Sequence, residues 1–280
     1  MNSSSINWRR FTLQLASAVI GKIEPLTQEN RRNVLIVDDS LFSRARSKKV
    51  ELLAKVFDHV SHKYTRGFRM LTLGWSDGNS FLPLSQCLLS SAKRENRLRE
   101  ASSGIDARSN GGKLRKLAQT KATSVMLTLL KDAKAADIPA KYVLFDTWFC
   151  SPSSLLQVKD IGYDVIGMVK KSDKIHFRYN GRMQSAPAIF RTAKKRRGRS
   201  SYLLSVEAEA IKGNQAIPVK LVFVRNRNNR QDYLILVYMD VNLYEEEIIQ
   251  TYGKRWNYRS LFQNVQIVSE TWQREQNHVL

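Results

Sequence analysis

The chain has 280 residues, a formal net charge of +21 and a sequence pI of about 10.1. Hydrophobic residues make up 42%, which supports a packed core and excludes global disorder. A balance this basic calls for a polyanionic partner; nucleic acid is the first candidate, with a ribosomal or membrane-surface role as the bland alternatives.

Ile6 to Lys22 reads as a helix, with Ser3, Ser4 or Ser5 as its cap. Its apolar part, Phe11 to Ile20, falls short of the ~20 residues of a membrane span and precedes no small-residue cleavage pattern. Val34 to Val37 reads as a strand that ends on Asp38-Asp39-Ser40. A basic, irregular stretch follows from Ser43 to Lys49, and Val50 to His59 shows helix-like spacing at Val50, Leu53, Val56, Phe57 and Val60. Phe68–Trp75 and Phe81–Leu89 read as two paired strands joined by the turn Ser76-Asp77-Gly78-Asn79-Ser80. Lys93 to Gly112 is charged and Gly/Ser-containing, as a linker or disordered loop would be. Leu114 to Ala136 carries an amphipathic helical pattern at Leu114, Leu117, Val125, Leu129 and Leu130.

A second short strand, Tyr142 to Phe145, ends on Asp146. A helix then starts at Ser151-Pro152 and closes at Gly162, and Asp164–Val169 is a further strand, which makes a βαβ unit. From Ile175 to Asp240 the pattern turns to β: strands at Ile175–Tyr179, Tyr202–Glu209, Val219–Val224 and Tyr233–Met239, with turn signals such as Asn180-Gly181. Between them lies the run Lys194-Lys195-Arg196-Arg197-Gly198-Arg199, which suits a solvated loop or a phosphate contact. Glu245 to about Gln266 is helical in tone, capped by Asn242, and contains Tyr252, Lys254 and Arg255.

The chemistry-bearing residues are the two strand-end acids. Asp38 and Asp146 stand where an open α/β sheet keeps its sites, and acids there can share a divalent cation. The alternative is an ordinary turn-capping role. Neighbouring side chains on a strand face opposite ways, so only one of Asp38 and Asp39 can reach such a cation. Trp148 and Phe149 read as packing residues. Cys87 and Cys150 are the only cysteines, with no CxxC spacing, which fits a reducing compartment. His59 and His62 stand three apart with no third ligand near them in sequence.

In this order the elements resemble the DDE transposases of the IS4 class. The motifs that carry the likeness are Val37-Asp38-Asp39-Ser40, Leu144-Phe145-Asp146-Thr147-Trp148-Phe149 and Tyr252-Gly253-Lys254-Arg255-Trp256, and it extends from about Ile6 to about Val265. The resemblance implies an α/β fold: an RNase H-like mixed five-stranded sheet with flanking helices and an all-β insertion. It divides the chain into an N-terminal helical remnant at 1–32, a core at 33–172, the insertion at 173–241 and a last core helix at 242–280. It implies metal-dependent cutting and joining of DNA, with Mg²⁺ or Mn²⁺ held by Asp38 and Asp146; the pattern of Asp, any residue, then Ser or Thr selects Asp38 over Asp39. Tyr252 and Arg255 would join the catalytic set, Arg255 as a phosphate or transition-state contact. Lys194, Lys195, Arg196, Arg197, Arg199 and Lys254 would contact DNA. The partners are the ends of the element and a target DNA, with a homodimer in the DNA complex and a cytoplasmic, nucleoid-associated location.

One part departs from the pattern. Where the family carries its third acid, a glutamate, this chain has Arg259, and Gln266 stands at the lysine position. A guanidinium cannot ligate Mg²⁺, so the resemblance leads us to expect an impaired copy, shortened at both ends. A catalytically inactive DNA-binding remnant is the alternative, and a non-specific RNA- or ribosome-binding basic protein the more distant one.

Overall fold

The computed structural model describes residues 5–26, 32–198, 200–226, 229 and 232–255. They fall into two compact units that divide between Ala140 and Lys141.

In the first unit, helix α1 (Trp8–Ile23) buries Leu13, Ala16 and Ile20, one stripe of a 3.6-residue period. Its cap is Asn7, whose side chain accepts from the Arg10 amide at 3.0 Å, and not one of the preceding serines. Strand β1 (Val34–Ser43) does not stop at Val37. The apolar run ends there, but the backbone ladder continues, because β3 (Lys63–Ser76) pairs antiparallel with it from Val34↔Ser76 to Ser43↔Gly67. Asp38 therefore lies in mid-strand. The ladder also needs Gly67: a Cβ there would overlap the Phe42 carbonyl oxygen. Gly67→Ala is expected to cost about 2 kcal/mol by forcing the two strands apart. An unchanged guanidinium midpoint for this variant would show that the ladder can give at this point.

The expected helix over Val50–His59 is a turn followed by strand β2 (Ala54–Asp58). Leu52 at φ 57° breaks any helix there, and burial alternates with period two, with Ala54 and Val56 inside and Lys55 and Phe57 outside. Strand β4 (Phe81–Leu89) pairs antiparallel with β3 through the expected hairpin, where Asp77 Oδ1 accepts from the Asn79 and Ser80 amides at 2.9 and 2.6 Å. The stretch 93–112 is no loose linker. Arg97 Nη1 donates to the Ser91 and Ala92 carbonyls, both at 3.0 Å, and the Leu98 amide bonds Leu53 O at 2.7 Å. The single helix expected over Leu114–Ala136 is two, α2 (Asn110–Ala118) and α3 (Ala122–Ala135). The apolar stripe fails at its start, where Leu114 is exposed, while Val125, Met126, Leu129, Leu130 and Ala133 of α3 are buried.

In the second unit, β5 (Tyr142–Phe145) is wholly buried and pairs in parallel with β6 (Asp164–Met168). Helix α4 (Pro152–Ile161) connects them. Ser151 caps it, Pro152 opens it and Gly162 ends it at φ 95°, so the expected strand–helix–strand unit is present with its signals in place. The β-rich segment follows: β7 (His176–Tyr179), β8 (Arg182–Ser185), β9 (Tyr202–Lys212), β10 (Gln215–Arg225) and β11 (Tyr233–Tyr238), with one short helix, α5 (Ala186–Thr192). Asn180 and Gly181 both take positive φ, 49° and 75°, as a two-residue hairpin turn between β7 and β8 requires. The strand order is β5-β6-β11-β10-β9-β7-β8, so this segment extends antiparallel from β6. A last helix, α6, is described over 245–255. Asn242 lies too early to cap it; Glu247 instead reaches back to the Tyr244 amide at 3.1 Å. Unit by unit this is a mixed α/β protein, consistent with an RNase H-like nuclease fold.

Candidate active site

Each unit presents one of the two acids. Asp38 is buried on β1, 8% exposed, and its partner across the ladder is Thr72 on β3. The Thr72 hydroxyl is buried beside it with no hydrogen-bond partner among the described residues. Asp39 points to the opposite face. There Arg69 takes both of its oxygens, Nε to Oδ1 at 3.1 Å and Nη2 to Oδ2. A charge-assisted bidentate pair of this kind commits Asp39 to structure. Arg69 was not singled out in the sequence, although a lone cation inside Phe68-Arg69-Met70-Leu71 is a visible signal that some acid must meet it.

Asp146 leaves the end of β5 and turns at once. Its Oδ1 accepts from the Trp148 amide at 3.0 Å, an Asx turn that fixes one oxygen. Its Oδ2 faces Arg255 Nη2 at 3.3 Å. Arg255 is nearly sealed, with its side chain 3% exposed, whereas that of Asp146 is 26% exposed. One turn earlier on α6, the Tyr252 hydroxyl donates to the Phe145 carbonyl at 3.4 Å. Residues three apart share a helix face, so a single turn of α6 holds both the last residue of β5 and the acid that follows it. Burial pushes the Tyr252 phenol up, and Asp146 adds to this while Arg255 opposes it, so it stays a hydrogen-bond donor at neutral pH. Cys150 lies fully buried behind the acid, its thiol pushed well up by burial and then by the Asp146 charge.

The remaining residues are placed as follows. Phe149 is core, but Trp148 is 60% exposed and is not the packing residue expected. Lys194, Lys195, Arg196 and Arg197 are exposed, and Arg199 lies outside the described residues. Two of the run are held against rings: Lys195 Nζ is 4.9 Å from the Phe190 centroid, and the Arg196 guanidinium sits 4.7 Å from that of Tyr202, whose hydroxyl it also bonds. Lys254 is half-buried on α6. Arg259 and Gln266 lie outside the described residues.

Both cysteines are buried and unpaired with each other. Burial raises the Cys87 thiol from 9.0 to about 11, with Arg9 opposing. An unfolded thiol loses its proton first, so this group's contribution is complete below about pH 9 and fades as pH rises toward 11. Native protein at pH 8 is expected to resist iodoacetamide, and the denaturant midpoint to fall between pH 9 and pH 11. Rapid labelling of the folded chain at pH 8 would contradict the burial of both thiols.

Carboxylate oxygens suit a hard divalent cation better than a thiol- or imidazole-loving one. A carboxylate offers about four acceptor sites, so Asp146 retains acceptor capacity beyond Trp148 and Arg255. Among the described residues no group of three or more His, Cys, Asp or Glu is placed to hold a metal ion. Mg²⁺ is commonly held by one or two carboxylates plus substrate phosphates.

The mixed α/β architecture is that of an RNase H-like nuclease fold. The chain belongs to the DDE superfamily endonuclease family, which matches residues 2–221, well over half its length. A comparison with curated proteins gave no match. The family acts on DNA and generally uses divalent metals. No helix among the described residues is long and apolar enough to cross a membrane.

Proposed function

We propose that this chain is a DNA transposase of the IS4 class, which cuts and joins DNA strands at the ends of a mobile element by phosphoryl transfer. The observation that carries the reading is the grip of Tyr252 and Arg255 on Phe145 and Asp146. The Tyr-x-x-Arg motif lies beyond the matched residues, yet its two side chains meet the end of β5 and its acid. We assign Asp38 and Asp146 as the carboxylates that hold Mg²⁺ or Mn²⁺. Such a cation, when bound, lowers the charge on the reacting phosphate and makes an oxygen nucleophile available. Asp39 takes no part, because Arg69 already occupies it. Arg255 is too buried to be an open phosphate clamp and acts as a positioning residue that fixes the Asp146 carboxylate. Lys194 to Arg197, Arg199 and Lys254 supply backbone contacts, and charge of this size makes binding strongly salt-dependent. On this reading 33–172 belongs to the catalytic core and 173–241 is an insertion in it. This reading places the protein in the cytoplasm, associated with the nucleoid when DNA-bound, with a homodimer in the DNA complex as its proposed assembly.

Arg259 at the third acid position favours an impaired copy, and with Gln266 it supports the second reading, an inactive DNA-binding remnant. The test is nicking of DNA that carries the element's ends, in Mg²⁺ and in Mn²⁺, by the wild type, by Arg259→Glu and by the same variant with Asp146→Ala. Nicking by Arg259→Glu that vanishes with Asp146→Ala is the expected result. If no variant nicks, the remnant is the correct description; if nicking survives Asp146→Ala, the site lies elsewhere.

A further inference from the structure

The hairpin of β2 and β3 carries a feature that costs stability and serves no packing purpose. Its register sets Lys55 directly opposite Arg66 and Phe57 directly opposite Tyr64. All four side chains stand on one exposed face. Like charges facing each other across an antiparallel pair are destabilising. Neither cation has an ion-pair partner among the described residues. The only acid in the segment 54–66, Asp58, belongs to the other side of the strand and is engaged at the tip, where it accepts from the Val60 amide at 2.9 Å and the Ser61 hydroxyl at 2.7 Å.

Aromatic rings complete the face. Phe57 meets Tyr64 edge-on at 5.3 Å between centroids, and His59 and His62 pack against Phe57 at 5.1 and 6.4 Å. The cluster is open to solvent: Tyr64 is 73% and Val60 90% exposed. Facing cations beside exposed rings match an anionic backbone with flat or apolar groups next to it, as nucleic acid has.

The position fits as well. Strand alternation places Arg66 and Thr72 on the same face of β3, and Thr72 is the partner of Asp38. Six residues of strand span about 20 Å, or roughly six base pairs at 3.4 Å each. We propose that the β2–β3 hairpin is a DNA-backbone contact that grips duplex about six base pairs from Asp38. It rests on the reading of DNA as substrate, and it adds a surface that the basic run at 194–199 does not include.

The test uses the full chain and a labelled DNA duplex, with affinity measured across a salt series and the melting temperature measured in parallel. Lys55→Glu turns the repulsive pair into an attractive one. It is expected to weaken binding about tenfold and to lower the salt slope by about one, while the melting temperature holds or rises. A second variant, Lys55→Ala with Arg66→Ala, is expected to weaken binding further, again without loss of melting temperature. Wild-type affinity and slope in both variants would overturn the proposal while leaving the DNA reading intact. A drop in affinity that only tracks a drop in melting temperature would overturn it too. So would tighter binding to phosphatidylserine vesicles than to the duplex. If the wild type binds no duplex at all, the functional reading itself fails.

Discussion

Arg259→Glu is expected to raise the rate of Mg²⁺-dependent nicking by about a thousandfold over the wild type. A well-held cation stabilises transition-state charge by several kcal/mol. Each 1.36 kcal/mol is a factor of ten in rate, so a gain of roughly three such steps follows if one carboxylate is all that is missing. The substitution also removes a positive charge that would repel the metal cation, which acts in the same direction. It follows that Asp38→Asn and Asp146→Asn, placed in the Arg259→Glu chain, each return the rate to background. A gain below tenfold would mean that Gln266 or another departure from the family pattern also limits the reaction. Nicking by the unaltered chain at the rate of Arg259→Glu would mean that another residue supplies the third acid.

Much of the fold is legible in the sequence because its signals are local. Asn180-Gly181 specifies its turn through two positive φ angles, and Ser151, Pro152 and Gly162 bracket α4 by capping alone. The misreadings have equally local causes. Val50, Leu53, Val56 and Phe57 match a helical period by coincidence, and only the positive φ of Leu52 and the partner strand β3 decide for a strand. The length of β1 was hidden for the same reason, since the polar Asp38-Asp39-Ser40 interrupts its apolar run and the rest is held by the register with β3. In the site, the two acids could be picked out from their positions in sequence. That Asp39 is captured by Arg69, and Asp146 by Arg255, depends on side chains thirty and 109 residues away in the chain, which no local pattern reports. The β2–β3 face was invisible for a related reason, because the opposition of Lys55 and Arg66 exists only once the register is known.

Arg255→Ala is expected to lower stability by about 2–4 kcal/mol and to disable cleavage for a reason separate from DNA binding. The side chain is 3% exposed, so its removal leaves a cavity and deletes a charged partner from a sealed position. The penalty stays below that of a fully buried pair because Asp146 is 26% exposed and can draw on water. The catalytic effect follows from geometry. With Oδ2 released, Asp146 is held only by the Trp148 amide on Oδ1, and the carboxylate gains rotational freedom. Loss of an orienting partner typically reduces metal affinity 10–100-fold. In the Arg259→Glu chain, Arg255→Ala should therefore need about that much more Mn²⁺ to reach half-maximal nicking, with the rate largely restored at saturating Mn²⁺. Its affinity for duplex without metal should match that of the parent. A direct phosphate contact predicts the reverse: weaker duplex binding without metal, a shallower salt slope, and no rescue by added Mn²⁺. Arg255→Lys sharpens the distinction. Lysine keeps the charge that a phosphate contact needs but lacks the planar, rigid fork of arginine. It should preserve duplex binding under either view, yet recover the metal requirement of the parent only if charge, rather than the fixed reach of the guanidinium to Oδ2, is what Asp146 requires.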